Sequence, residues 1–505
     1  MKKSRKTIRQ KVAVPIVCTA LLTTMAACNT SVAKNEGNSS QASKQAITIM
    51  TTSYTTPTLN DSSPALKALE EYTDTDIDIK WVPSTSYEEK FNVTLASTNL
   101  PDIILAPGKT PSFVKAVKDG AFWELGPYLK DYKNLSQANP IILENSSING
   151  KTYGIYRGRP LGRFAVSIRK DWLEAVGMET PKTIDELRAV LKAFKNEDPD
   201  GNGKNDTTGI VSDKAGVAWD MMQIWFGAPN KWGVDANGEL VPDFKTKEYM
   251  EALKFFRELY SEGLIDEDFA VVDEASPEIV NGVGGVYFGV ADEGHRIAEK
   301  IVAIDPKNTD SIDVFSQIEG PEGIHTLPTS GYSGMLAISK TNVKTEKELK
   351  KVLTFLDKLN DEDGQILGYN GIEGKHYEFV DGKFTIIDPT NAGLTSEYQD
   401  LNQFQMFIPE ERSLKVEPTP LRKKENDLMK ANEELVVSNP AESLISGVYA
   451  QKGPQLDNII KDARIKYIVG QIDEKGFQDA VELWHKSGGD DYIAEINKLY
   501  KAAKK

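Results

Sequence analysis

From Ala46 to Gly108 the sequence switches repeatedly between two periodicities. AITIM (Ala46–Met50) is a short β run, and a helix follows over residues 64–72. IDIKWV (Ile77–Val82) alternates apolar and polar residues, and SYEEKFNVTLAS then places Tyr87, Phe91 and Leu95 on one helical face. LPDIILAPG reads as a buried strand closed by Pro-Gly. A β-α-β-α-β order predicts a mostly parallel sheet with helices on its faces. Ligands of such sheets bind beyond the carboxyl ends of the strands. Those ends carry Tyr54 and the turn Ala106–Lys109, which includes Pro107.

The same alternation continues. RFAVSIRKDWLEAVG runs from strand into helix. In TPKTIDELRAVLKAFK, Thr183 and Glu186 make a capping box, and Ile184, Leu187, Val190, Leu191 and Phe194 share a face. KEYMEALKFFRELYSEG is a helix ending at Gly263, GGVYFGV (Gly284–Val290) and MLAIS (Met335–Ser339) are strands, and the last hundred residues are mostly helical. No internal repeat has a fixed period.

The amino terminus is a separate matter. MKKSRKTIRQK carries cations and no acid, an apolar stretch follows, and Met25-Ala26-Ala27 precede Cys28. That is a signal peptide whose end resembles the bacterial lipobox, which marks Cys28 for lipidation. Cys18 leaves with the signal, so no disulfide scaffold remains. NTSVAKNEGNSSQASKQ is polar and reads as a flexible tether. The chain carries a net charge of −15, and loss of the basic leader makes the rest more acidic still. Such a surface repels nucleic acid and anionic lipid, so contact with the membrane is expected through the lipid anchor only.

After the Thr183 helix comes EDPDGNGKNDTTG (Glu197–Gly209). Counted from Asp198, oxygen side chains fall at the first, third, fifth and ninth positions (Asp198, Asp200, Asn202, Asp206). A glycine stands sixth, and Lys204, seventh, offers its carbonyl. This is the ligand spacing of a calcium-binding EF-hand loop. The twelfth position, where a bidentate Glu belongs, is Gly209, and no second helix follows. A bound Ca2+ would therefore have a structural role: a pin at the end of a helix.

Catalytic motifs are absent. The four histidines, His295, His325, His376 and His485, have no metal-ligand spacing, and there is no HExxH, GxSxG or phosphate-binding loop. Aromatic density stands out instead. Trp219, Trp225, Phe226 and Trp232 crowd one segment, and Tyr153, Tyr156, Arg157 and Arg159 another. Aromatic faces stack on sugar rings while Arg, Asn and Asp serve hydroxyls, so these segments fit a carbohydrate cleft. Core packing is the competing explanation for each ring.

Four stretches together, SYEEKFNVTLASTNLPDIIL, GKTYGIYRGRPLGRFAVSIRKDWLEAVGMETPKTIDELRAVLKAFK, PDFKTKEYMEALKFFRELYSEGLIDEDF and GQILGYNGIEGKHYEFVDGKF, resemble the extracellular solute-binding proteins of family 1. The resemblance implies an α/β fold of type II, two-lobed and periplasmic-binding-protein-like, with a helix-rich C-terminal region. It divides the chain into a lipoprotein signal peptide (1–27), a tether (28–45), one lobe from 46–160 plus 334–380, and a second from 161–333 plus 381–505. Phe164–Ile168 is expected as the first crossing between lobes and Gly334–Ser339 as the return. Alginate-binding members carry a calcium loop after the same helix, which Asp198, Asp200, Asn202, Lys204 and Asp206 match, although Thr207 stands where an acidic residue is usual. GVYFGV resembles the stretch that places an aromatic in the cleft, which singles out Phe288. The expected ligand contacts are Tyr54, Pro107, Lys109, Arg157, Arg159, Trp219, Trp225, Phe288 and Tyr332.

By the same resemblance the protein is no enzyme. It is a monomeric lipoprotein on the extracellular face of the cell membrane that delivers an oligosaccharide to the permease subunits of an ABC importer. A surface glycosidase or lyase, and a sensing or adhesive lipoprotein without an importer, are the alternatives.

Overall fold

In the first helix, Ser63 Oγ accepts a hydrogen bond from the Leu66 amide and Pro64 takes the first turn, so Pro64–Thr73 starts as its sequence dictates. The computed structural model describes residues 44–503 apart from 57 and 98. Cys28, the expected signal peptide and nearly all of the expected tether lie outside the described residues. Thr183 caps Ile184–Asn196 through the Glu186 amide, but the Glu186 carboxylate takes the N–H of Lys182, not that of Thr183. The reciprocal capping box is at Thr345 and Glu348, opening Glu346–Lys358.

Nine strands form two main sheets: β1 (Gln45–Ser53), β2 (Thr75–Pro83), β3 (Ile103–Ala106), β4 (Ile155–Gly158), β5 (Phe164–Arg169), β6 (Thr208–Val211), β7 (Gly284–Val290), β8 (Ile312–Phe315) and β9 (Tyr332–Ile338). The first sheet has the order β2-β1-β3-β9-β4 and the second β8-β5-β7-β6. β1 runs parallel to β2 and β3, while β9 is antiparallel to both β3 and β4. In the second sheet only β6 and β7 are parallel. Both sheets are therefore mixed, not mostly parallel. The reason lies in the connections. β9 returns to the first sheet from the second and enters from the opposite end.

Each sheet has its own core. Ile49, Phe91, Ile104, Phe113 and Leu353 belong to the first. Tyr398, Leu401, Phe404, Met406 and Ile408 pack into this same core, although the sequence groups them with the second lobe. Trp81 stacks on Phe404 at 5.7 Å, which holds the segment there. The second core holds Trp172, Phe194, Trp225, Phe256, Phe477 and Trp484. Gly285 in β7 makes room for its densest contact. A Cβ there would lie 2.2 Å from the Phe194 ring and 2.8 Å from Trp172, which meet edge to face.

The crossings between sheets are residues 159–163, between β4 and β5, and the run from 316 to 331 that leads into β9. Phe164–Ile168 is a strand of the second sheet and Gly334–Ser339 largely a strand of the first, so neither is a crossing. Sequence periodicity marks strands, whereas a crossing is defined by which sheet each neighbour joins. Asn432, fully buried, ties the crossings together. Its carboxamide oxygen accepts from Ser316 Oγ (2.7 Å), and its nitrogen donates to the Gly162 carbonyl (2.9 Å). Among the described residues no helix is long and apolar enough to cross a membrane.

Candidate functional site

The sheet registers bring the expected strand ends to two facing edges. Ala106 pairs with Met335 and Gly158 with Tyr332, so the ends of β3 and β4 and the start of β9 lie on one edge, beside Tyr54 at the end of β1. The start of β5 pairs with the end of β7, Phe164 with Val290, on the edge of the second sheet nearest the crossing.

Recesses open beside these edges, two of them lined from both sides and a third by residues 220–492 of the second side alone. One, of about 370 Å³, is lined by Arg157 from β4, Arg159 and Arg163 from the crossing, Asp292 just after β7, and Tyr369 and Phe407. A second, of about 300 Å³, takes Asn145 from the first lobe and Phe164, Asp220 and Gln223 from the second. A third, of about 350 Å³, shares Asp220, Gln223 and Lys231 with it and continues toward Trp232, Tyr449 and Tyr492. Two non-glycine residues with left-handed backbone, Lys231 (φ 62°) and Phe407 (φ 55°), line these recesses. Strain of that kind persists where surrounding contacts hold it, and it concentrates at binding sites.

Tyr54 lies at the edge and is 67% exposed. Its loop is clamped by Asp400, which accepts from Ser53 Oγ (2.7 Å), the Tyr54 amide (3.0 Å) and Thr55 Oγ1 (2.6 Å). Arg157 reaches from β4 to Gln403 Oε1 (2.7 Å) and the Ser333 carbonyl (3.3 Å). Burial, with Arg159 beside it, pushes its guanidinium down to about 10. Burial, and then Arg163, likewise lower Arg159. Arg163 is bonded through two nitrogens to Asp292 at 2.8 and 2.9 Å. Burial raises the Asp292 carboxyl, but these bonds and charges outweigh it and hold the group below its ordinary range.

The other expected contacts are placed differently. Lys109 is a strut: its ammonium donates to the carbonyls of Asn145 (2.6 Å) and Glu442, two residues that line the second recess. Burial lowers it while Glu442 opposes. Pro107 is exposed at the end of β3. Tyr332 is half-buried and packs against the first core. Trp219, Trp225 and Phe288 are 2%, 1% and 4% exposed, inside the second core. Trp219 packs edge to face on Tyr249 and Phe256, and Trp225 meets Phe288 at 5.7 Å and donates to the Ser316 carbonyl. Packing explains these three, and none presents a ring face to solvent. The residues missed were Arg163, Asp220, Lys231, Tyr369 and Phe407. Tyr369 stood within the GQILGYNG stretch that carried the family resemblance. The Arg163–Asp292 pair, by contrast, joins distant parts of the chain and leaves no local signal.

The loop after Ile184–Asn196 gathers its oxygens around Asn202. The Asn202 amide N–H is shared by Asp198 (3.1 Å) and Asp200 (3.3 Å), and its carboxamide nitrogen lies between Asp200 Oδ2 (2.7 Å) and Asp206 Oδ1 (3.1 Å). Lys204 donates its amide to Asn202 Oδ1. Among the described residues no three His, Cys, Asp or Glu side chains are arranged to hold a metal ion together. A twelfth ligand is excluded by packing: a Cβ on Gly209 would lie 2.7 Å from the Leu264 carbonyl. Thr207 is buried, its hydroxyl bonded to the Phe194 carbonyl at 2.7 Å.

Two sheets whose edges face each other across shared recesses define a two-lobed binding protein of the type II periplasmic-binding-protein-like fold. Residues 56–366 match the family described as bacterial extracellular solute-binding protein. The chain belongs to that family. It is 52% identical over 475 residues to lipoprotein LipO of Bacillus subtilis, covering 92% of this chain and 94% of that one. It is 37% identical over 447 residues to the polygalacturonan/rhamnogalacturonan-binding protein YtcQ of the same organism, covering 87% and 88%. Among solved structures, an EF-hand mutant of the Streptococcus pneumoniae ABC-transporter substrate-binding protein FusA, in complex with fructo-nystose, superimposes with a TM-score of 0.60 at 22% identity, over 91% of this chain and 99% of that one.

Proposed function

We propose that this protein captures an oligosaccharide between its lobes and passes it to the membrane subunits of an ABC importer, acting as a monomeric receptor and not as an enzyme. The observation that carries the reading is the pair of recesses, of about 370 and 300 Å³, walled by both lobes. A ligand held there touches both, so it binds the closed arrangement better than an open one, which is the condition for closure. Relatives named for saccharide binding and transport support it. In this reading the lobes are divided as the sequence divides them, except that 381–408 belongs to the first: Lys383–Ile386 pairs with Tyr377–Val380, and the Glu397 carbonyl accepts from Ser63 Oγ. Tyr54 and Tyr369 supply the exposed rings that stack on sugar faces, in place of the buried tryptophans. The test is a melting-temperature screen against saccharides. A true ligand at a hundredfold its Kd stabilises the protein by about 2.7 kcal/mol. Conversion of the saccharide on incubation would favour an enzyme instead.

Calcium has a structural part in this reading. The donor chemistry and spacing suit a hard cation: the Asp198, Asp200, Asn202 and Asp206 side chains and the Lys204 carbonyl would hold it once the carboxylates converge. The carboxylates already gather around the backbone and carboxamide N–H groups of Asn202, and a bound cation would relieve their mutual repulsion. Chelation should lower the melting temperature without unfolding the protein at room temperature, an effect of at most a few kcal/mol. The same melting curve in EDTA and in excess Ca2+ would show that nothing binds.

The lipid anchor belongs to Cys28. Cys28→Ala should move the protein from the membrane fraction into the medium, as fractionation and blotting would show. A mutant that stays with the membrane would contradict the anchor.

A further inference from the structure

We infer that the saccharide held in the cleft is anionic and carries a ring carboxylate, a uronate, which Arg157 and Arg159 receive. This rests on reading the cleft as a saccharide site and goes further by naming the ligand's charge. Four guanidiniums line the 370 Å³ recess: Arg157, Arg159, Arg163 and Arg422. Two are matched within the protein. Arg163 has Asp292, and Arg422 has Glu425 at 2.9 Å.

Arg157 and Arg159 are not matched. Among the described residues neither reaches a carboxylate. Arg157, only 5% exposed, spends its terminal nitrogens on a neutral amide and a carbonyl. Its Nε is buried without a hydrogen-bond partner. Arg159 donates to its neighbour's carbonyl, Gly158 O, at 2.7 Å. Lining carboxylates do not settle the account. Asp292 is shared between Arg163 and Arg296, and Glu411, whose charge acts on Arg159 through space without a bond to it, is itself bonded to Lys415 and Ser413.

A desolvated guanidinium without a counter-charge is costly, and such groups are ordinarily paired. Two of them side by side on a cavity await a negative charge from outside the chain. Guanidinium donors match the planar, two-oxygen geometry of a carboxylate. The rings of Tyr369 and Phe407, 6.1 Å apart, and the amides of Asn402 and Asn426 line the same recess. Rings for an apolar sugar face, amides for hydroxyls and a pair of guanidiniums for a carboxylate together describe a uronate residue.

The test is calorimetric titration of the full folded protein with tetramers of galacturonate, glucuronate and mannuronate, each against its carboxyl-reduced counterpart of equal length and linkage. One acid should bind at least about tenfold more tightly than its reduced form at low salt, with the gap narrowing as salt is added. Arg159→Gln and Arg157→Lys should each remove most of that gap, and their ligand-free melting temperatures report whether they remain folded. Equal affinity for acid and reduced forms overturns the inference, as does a gap that survives in both variants. If only neutral oligosaccharides such as nystose or maltotetraose bind, the inference falls while the saccharide reading stands. If no saccharide binds, both fall.

Discussion

Trp225→Ala should destabilise the ligand-free protein by about 3–5 kcal/mol, the range for removing a large aromatic from a packed core. Trp225 is 1% exposed, contacts Phe288 and donates its indole N–H to the Ser316 carbonyl at 3.0 Å. Gly320 closes on the same residue from its backbone side, where a Cβ would lie 1.7 Å from the Trp225 carbonyl oxygen. Urea unfolding without saccharide measures the loss. A stable mutant that has lost saccharide affinity would return Trp225 to the cleft.

Glu425→Ala should cost about 1–3 kcal/mol, for a different reason: it leaves a buried donor without its acceptor. The Glu425 side chain is fully buried, and both of its oxygens are used. Oε1 accepts from the His295 amide at 2.7 Å, and Oε2 meets His295 Nδ1 and Arg422, each at 2.9 Å. The carboxylate therefore sits at the amino end of the helix Glu293–Ile304, where an anion is favoured, and joins it to Pro420–Asn432. Removal strands the His295 amide, while the Arg422 guanidinium, 37% exposed, stays open to water. Glu425→Gln keeps an acceptor for the amide and should cost clearly less, so the two variants measured together separate lost charge from lost packing. Equal and small losses in both would mean that water replaces the carboxylate freely.

These two positions also show what a sequence can and cannot convey. The helices and strands of the first lobe were legible because each buries one face, and burial on one face prints a period. The place of Tyr54, exposed just past the carboxyl end of β1, was legible for the same reason. The segment 219–232 was not. Its helix, Val217–Trp225, buries Ala218, Trp219, Met221, Met222, Gln223, Ile224 and Trp225, nearly its whole circumference. With no polar face there is no phase to read, and a cluster of tryptophans looks the same in a core as in a cleft. The Glu425–His295 and Arg163–Asp292 pairs were illegible because each joins residues more than a hundred positions apart. The calcium-like loop lies at the other extreme. Its ligand spacing is wholly local, but the fate of its twelfth position is decided by Leu264, on a neighbouring segment.

Small-angle scattering of the protein with and without saturating saccharide tests the central claim most directly. The account predicts a measurable fall in the radius of gyration with a ligand that also raises the melting temperature, because a ligand touching both lobes favours their approach. An unchanged radius with a saccharide that binds tightly, or no stabilising saccharide in a broad screen, would contradict capture between the lobes.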